Sequence, residues 1–250
     1  VVEIVDVDRL LRSMPDCVPF DARPLEEFLE GHLPWAFPLD LEGLEKAALG
    51  GPEPDRQQLI LALGQAPVRT GQPLVVYDAT SLQRRDGYAA WLLAYAGLPG
   101  VEILDGGMTA WGRRRNLSFY AGYPRPRGVT SLREMELQPR LRLRVDPASI
   151  ADGPPDGSVL VQVLPADPAG PEPGDGQVRT DELFDDALLF LYPYHLRRLL
   201  ESRKIEPDAR LLLQGDRNEA GLVWAALVGN GFDAALVLTP GDETETESSR

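Results

Sequence analysis

Few side chains in this sequence could act together as nucleophile, acid or ligand. There is one cysteine, Cys17, and there are two histidines, His32 and His195. A lone cysteine forms no internal disulfide, and with two histidines it builds none of the common zinc sets, so neither metal nor cofactor is implied. The stretch best placed for chemistry is residues 211–228. The apolar run Leu211-Leu212-Leu213 leads into a polar loop, Gln214-Gly215-Asp216-Arg217-Asn218-Glu219, and then into an apolar helix over 220–228. A strand, a tight loop and a helix N-terminus bring backbone N–H groups together and favour an anion or a thiolate. A nucleophile would stand at the strand end, and there the sequence has Gln214, an amide without nucleophilic power. Arg217 could hold an anion in the loop or pair with Asp216 or Glu219, and those two carboxylates would repel the same anion.

The remaining reactive types have plainer readings. Cys17 precedes a strand at 18–21 and so lies at the N-terminal edge of a sheet, whereas α/β sites gather at the C-terminal edge. An inert thiol is expected. His32 sits in a proline-rich loop and is expected to bond nearby backbone, and His195 opens an amphipathic helix and is expected on the surface. Arg113-Arg114-Arg115 reads as a solvated face or a partner for the acidic surface. Trp91, Trp111 and Trp224 lie on apolar helical faces and read as core, with Trp35 partly exposed.

The elements that position these groups alternate. Strands are expected at 18–21, 74–77, 101–104, 159–164, 211–213 and 234–238, and helices at 24–30, 57–66, 88–96, 108–113, 194–203 and 220–228. A short helix near 8–11 would take Asp8 as its cap. Strands alternating with helices argue an α/β fold with parallel sheets flanked by helices. Residues 74–104 and 211–238 repeat one order: apolar strand, polar loop, alanine-rich helix with a tryptophan, glycine break, short strand. That is an internal duplication, with a first domain at 1–118, a connector at 119–144, a second domain at 145–240 and an acidic tail at 241–250 expected to be disordered. Residues 165–176, rich in Pro, Gly and Asp, read as a long exposed loop.

Composition narrows the partners. The 250 residues carry 25 Lys and Arg against 39 Asp and Glu, a net charge of −14. Such a surface repels phosphate backbones and anionic lipid, so neither nucleic acid nor a membrane is an expected partner. No apolar run approaches the roughly 20 residues of a membrane span. The opening residues lack a signal-peptide pattern, and together with the single cysteine this points to the cytoplasm.

Three segments of the first half line up with a known pattern. Asp21-Ala22-Arg23-Pro24 leaves a strand; Gly31-His32-Leu33-Pro34-Trp35-Ala36 follows; and Leu104-Asp105-Gly106-Gly107-Met108-Thr109-Ala110-Trp111 comes later. This set resembles the rhodanese family of sulfurtransferases, whose pattern is a D-x-R strand exit, a G-H-I-P-G-A loop and an L-D-G-G-x-x-x-W turn. Trp35 stands where the family prefers glycine. The resemblance implies tandem α/β domains and, in active members, a cysteine at the end of the central strand of the second domain. That cysteine takes sulfur from thiosulfate or mercaptopyruvate and passes it on as a persulfide. A thiolate cradled by amides at a helix N-terminus suits this chemistry. In the first domain the equivalent position is Asp78, as expected for an inactive half; in the second it maps onto Gln214, with a loop of the family's length. Val161-Gln162-Val163-Leu164 stands where D-x-R is expected, and Gly176-Gln177-Val178-Arg179 is the nearest remnant of the histidine loop. Two functions follow. One is a rhodanese-like protein without catalysis, binding an unknown protein or a small anionic ligand or acting architecturally. The other is a sulfurtransferase of weak or altered activity, working through Cys17 or a partner's thiol. A phosphatase of related fold would also need a loop cysteine.

Overall fold

The computed structural model of the chain describes residues 2–14, 16–79, 85–114, 117–124, 130, 132, 135, 137–167 and 169–238. The tail expected to be disordered and part of the loop after residue 79 lie outside the described residues.

Two five-stranded parallel sheets organise the molecule. The first holds β1 (Glu3–Val5), β2 (Val18–Asp21), β3 (Phe37–Pro38), β4 (Leu74–Tyr77) and β5 (Val101–Leu104), in the order β1-β5-β4-β2-β3. The second holds β6 (Arg144–Val145), β7 (Ser158–Leu164), β8 (Gln177–Arg179), β9 (Arg210–Gln214) and β10 (Ala234–Val237), in the order β6-β10-β9-β7-β8. The second order is the first with every strand advanced by five, so the duplication seen in sequence is a duplication of topology. Arg144, assigned above to the connector, is already a strand residue. β2, β4, β5 and β10 are buried along their whole length, as parallel strands covered on both faces are.

The helices are α1 (Val7–Ser13), α2 (Leu25–Glu30), α3 (Leu41–Leu49), α4 (Arg56–Ala62), α5 (Asp86–Tyr95), α6 (Gly107–Arg113), α7 (Pro193–Ser202) and α8 (Arg217–Gly229). Asp6, not Asp8, caps α1: its carboxylate accepts from Arg9 N–H, and Asp8 falls in the first turn. α3 is a helix additional to those expected from the sequence pattern. It begins where the Asp40 carboxylate accepts from Gly43 N–H at 3.0 Å, and it turns Leu44, Ala47 and Ala48 inward.

α5 and α8 join the two halves. α5 is buried on every side and α8 is buried from Ala220 to Leu227, because each covers its own sheet and packs against the other. Their approach depends on two glycines. A Cβ at Gly221 would lie 2.5 Å from the Cα of Tyr88, and one at Gly87 would lie 2.6 Å from the Cα of Leu222. Leu92 and Trp91 on one side and Val223 and Trp224 on the other belong to a single hydrophobic core that runs through both halves. The indoles are satisfied within it: Trp91 donates to the Leu143 carbonyl at 3.0 Å and Trp224 to the Ala234 carbonyl at 3.1 Å.

An exposed helical glycine gains about 1 kcal/mol on change to alanine. Gly221→Ala is expected to do the reverse and lose about 1–3 kcal/mol, because its methyl meets backbone rather than a movable side chain. Urea unfolding of the variant against the wild type measures the sign.

Candidate functional site

The first-domain motifs form a clasp. Arg23 pairs with the fully buried Asp21 through two bonds, Nε to Oδ1 at 2.9 Å and Nη2 to Oδ2 at 2.6 Å, and also donates to the Gly31 carbonyl at 2.6 Å. The strand exit is thereby tied to the histidine loop. His32 is buried, stacks on Phe28 at 4.2 Å, and sets its ring nitrogens against the carbonyls of Leu33 (2.8 Å) and Gly122 (3.0 Å). Tyr77, at the end of β4, accepts from Leu33 N–H through its hydroxyl at 3.2 Å. Trp35 takes φ +59° and is 55% exposed, a conformation in which glycine would be unstrained.

Asp78 follows β4 and is buried. Its carboxylate accepts from Ala79 N–H at 2.5 Å and from Arg85 N–H at 2.7 Å, where α5 begins. Its carbonyl accepts from Met108 N–H at 2.9 Å, and a Cβ at Gly107 would stand 2.1 Å from that oxygen. Gly106 and Gly107 both have positive φ, so the D-G-G turn is built to press against Asp78. Burial, followed by the neighbouring Asp86, pushes the Asp78 carboxyl up to about 6 against the pull of the two amide bonds.

The second half differs from the sequence reading. β9 includes Gln214 and α8 begins at Arg217, so Gly215 and Asp216 alone connect them. In the first half residues 78–85 span the same gap. The expected six-residue loop therefore does not exist: Arg217, Asn218 and Glu219 form the first turn of α8. The cause is Asp216, which caps the helix through Oδ1, accepting from Asn218 N–H at 2.9 Å and from Glu219 N–H at 3.4 Å.

The pairing of Asp78 with Gln214 also shifts. Leu74 and Leu211 face the first residues of β5 and β10, Val101 and Ala234. Carried along the strands, this register makes Tyr77 the counterpart of Gln214 in the other sheet, and Asp78 the counterpart of Gly215. Gln214 is an exposed strand residue. At Gly215 a Cβ would stand 2.7 Å from the Val163 carbonyl oxygen and 3.0 Å from the Val163 Cβ.

Arg217 corrects the reading again. Its guanidinium pairs with Glu45 of α3, in the other half, rather than with Asp216 or Glu219. Sequence reasoning missed Glu45, and a partner 172 positions away carries no local signal. The Tyr88 hydroxyl lies beside this pair, and burial raises its ionisation far above the ordinary phenol. Glu219 is raised by burial first, against a hydrogen bond from the Thr180 hydroxyl. Cys17 is buried at the opposite edge of its sheet, where burial pushes the thiol up, and His195 is exposed. Among the described residues no group of three His, Cys, Asp or Glu could hold a metal ion, and no helix is long and apolar enough to cross a membrane.

The rhodanese-like domain family matches residues 6–114. A putative thiosulfate sulfurtransferase of Mycobacterium tuberculosis, SseB, is 31% identical over 236 residues, which cover 88% of this chain and 82% of that protein. The chain belongs to the rhodanese-like sulfurtransferase family. A probable 3-mercaptopyruvate sulfurtransferase of Pseudomonas aeruginosa is 32% identical over 234 residues, 78% of this chain and 77% of that one. The crystal structure of SseA from Escherichia coli matches with a TM-score of 0.73 at 20% identity, covering 95% of this chain and 98% of that one, so the tandem rhodanese fold extends through both sheets. Within that fold the two strand-to-helix junctions differ in length, and an aspartate meets backbone amides in each. Asp78 occupies the first with its own carboxylate, and Asp216 occupies the second.

The raised Asp78 has a definite sign. Its ordinary value is 3.8 and its folded value about 6, so the native state holds the proton longer than the unfolded chain. Its contribution to stability is complete below about pH 4 and falls as pH rises through 6, by up to about 1.4 kcal/mol per pH unit. Asp78→Asn removes this slope, so the stability difference between wild type and variant, followed by urea unfolding from pH 4 to 7, should drift against the wild type until about pH 6 and then level.

Proposed function

We propose that this chain is a non-catalytic member of the rhodanese-like sulfurtransferase family, working through binding or as an architectural partner. The observation that carries the reading is Gly215: it is the counterpart of Asp78, at the strand end where the chemistry calls for a thiolate, and the Val163 carbonyl occupies the space a side chain would need. Neighbouring features support it. The cation nearest the junction, Arg217, is engaged by Glu45, and Asp216 and Glu219 would meet an anionic sulfur donor with like charge. Cys17 is buried before β2 of the first sheet, whereas this junction closes β9 of the second. A protein contact fits the surface better than a small anion does. Trp35 on the histidine loop and Tyr120 and Tyr123 on the segment paired with His32 are exposed, and the junction amides are already taken. The single unpaired cysteine suits a reducing compartment, the cytoplasm.

The donors named for the relatives supply the test. With thiosulfate or 3-mercaptopyruvate and cyanide, the wild type is expected to form no thiocyanate above the blank. Gly215→Cys is expected to remain inactive and to lose about 1–3 kcal/mol of stability through the clash at Val163. Wild-type turnover that disappears in Cys17→Ser would overturn the proposal, and strong turnover in Gly215→Cys would show that the cradle had kept its shape.

A further inference from the structure

A hairpin of the second domain crosses to the first. Residues 184–190 double back through an antiparallel bridge between Phe184 and Phe190, whose rings lie 5.0 Å apart. The Asp185 carboxylate accepts from Ala187 N–H at 2.9 Å and Leu189 N–H at 3.0 Å, and Leu188 takes φ +62° to complete the turn. A left-handed leucine costs conformational energy, so the surrounding contacts hold this shape.

Those contacts lie on the D-G-G turn and α6. Phe190 N–H donates to Asp105 Oδ1 at 3.0 Å. A Cβ at Gly106 would stand 3.0 Å from Leu189 Cδ2, so the leucine sits against bare glycine backbone. Arg113 Nη1 donates to the Ala187 carbonyl at 2.9 Å. An acceptor, an apolar seat and a cation from one short segment thus meet three groups of the hairpin. The hairpin is in turn anchored in its own domain, where Leu191 N–H donates to the Leu183 carbonyl at 2.8 Å.

We propose that the Asp105-Gly106-Gly107 turn, with Arg113, is a docking site for residues 184–190 of the second domain, and that this clasp fixes the two domains against each other. It complements the α5–α8 crossing: the helices supply apolar contact, and the clasp supplies direction through hydrogen bonds. The clasp does not depend on whether the chain transfers sulfur.

Hydrogen exchange on the full chain tests it. Asp105→Ala is expected to speed exchange at the Phe190 amide by about tenfold or more, through loss of a charge-assisted bond, and to leave the amides of Leu211, Leu212 and Leu213 in β9 unchanged. Asp105→Asn keeps an acceptor and is expected to stay within about threefold of wild type at Phe190. Arg113→Ala, a change at an exposed position, is expected to speed the amides of residues 187–190 alone. Unchanged exchange at Phe190 in Asp105→Ala, or an equal rise throughout β9, overturns the proposal. If Asp105→Ala fails to fold, unchanged hairpin amides in Arg113→Ala overturn it.

Discussion

The first turn of a helix leaves N–H groups with no partner inside the helix, and at the C-terminal edge of a parallel sheet those groups converge on one spot. They call for an acceptor, and a carboxylate is the strongest a side chain offers. In this protein Asp216 caps the first turn of α8, and at the first junction the Asp78 carboxylate takes the amides of Ala79 and of Arg85, the residue that precedes α5. Each carboxylate is tethered, so it meets the amides at an effective concentration no free anion matches. The two solutions have different costs. Asp216 is exposed and caps cheaply, whereas Asp78 is buried near Asp86 and holds its proton to about 6.

The second junction has also contracted. Asp216 caps α8 at Arg217, so the connection is two residues long where the first half uses residues 78–85. The strand end then moves in under β7, with the Val163 carbonyl against Gly215. Contraction brings Arg217 to the other half, where Glu45 takes the charge. The same tightness appears at Gly87 and Gly221, where two helices pack backbone to backbone. The early start of α8 and the close docking of the halves thus occur together, and Arg217 in the first turn takes part in both.

Much of this was legible in the residues. Apolar runs such as 74–77 and 211–213 announce parallel strands, and the D-x-R, histidine-loop and D-G-G segments announce a clasp that the structure builds with Arg23, Asp21 and Gly31. Three things were not legible. A polar residue after an apolar run looks like a loop residue, so Gln214 was matched to Asp78; sheet register, which no local pattern reports, moves the match to Gly215. A helix start is decided by which residue caps it: Asp6 and Asp8 both flank the start of α1, and at the second junction Asp216 caps a helix that begins three residues before the apolar run. Arg217 finds Glu45, 172 positions away, only after both halves have packed.

On the function proposed above, the folded chain presents no thiol to a sulfur donor. Intact mass measured after incubation with thiosulfate or 3-mercaptopyruvate tests that most directly, because it detects a persulfide whether or not turnover follows. The unmodified mass is the expected result. A sulfur adduct that forms on the folded chain and localises to Cys17 would contradict it.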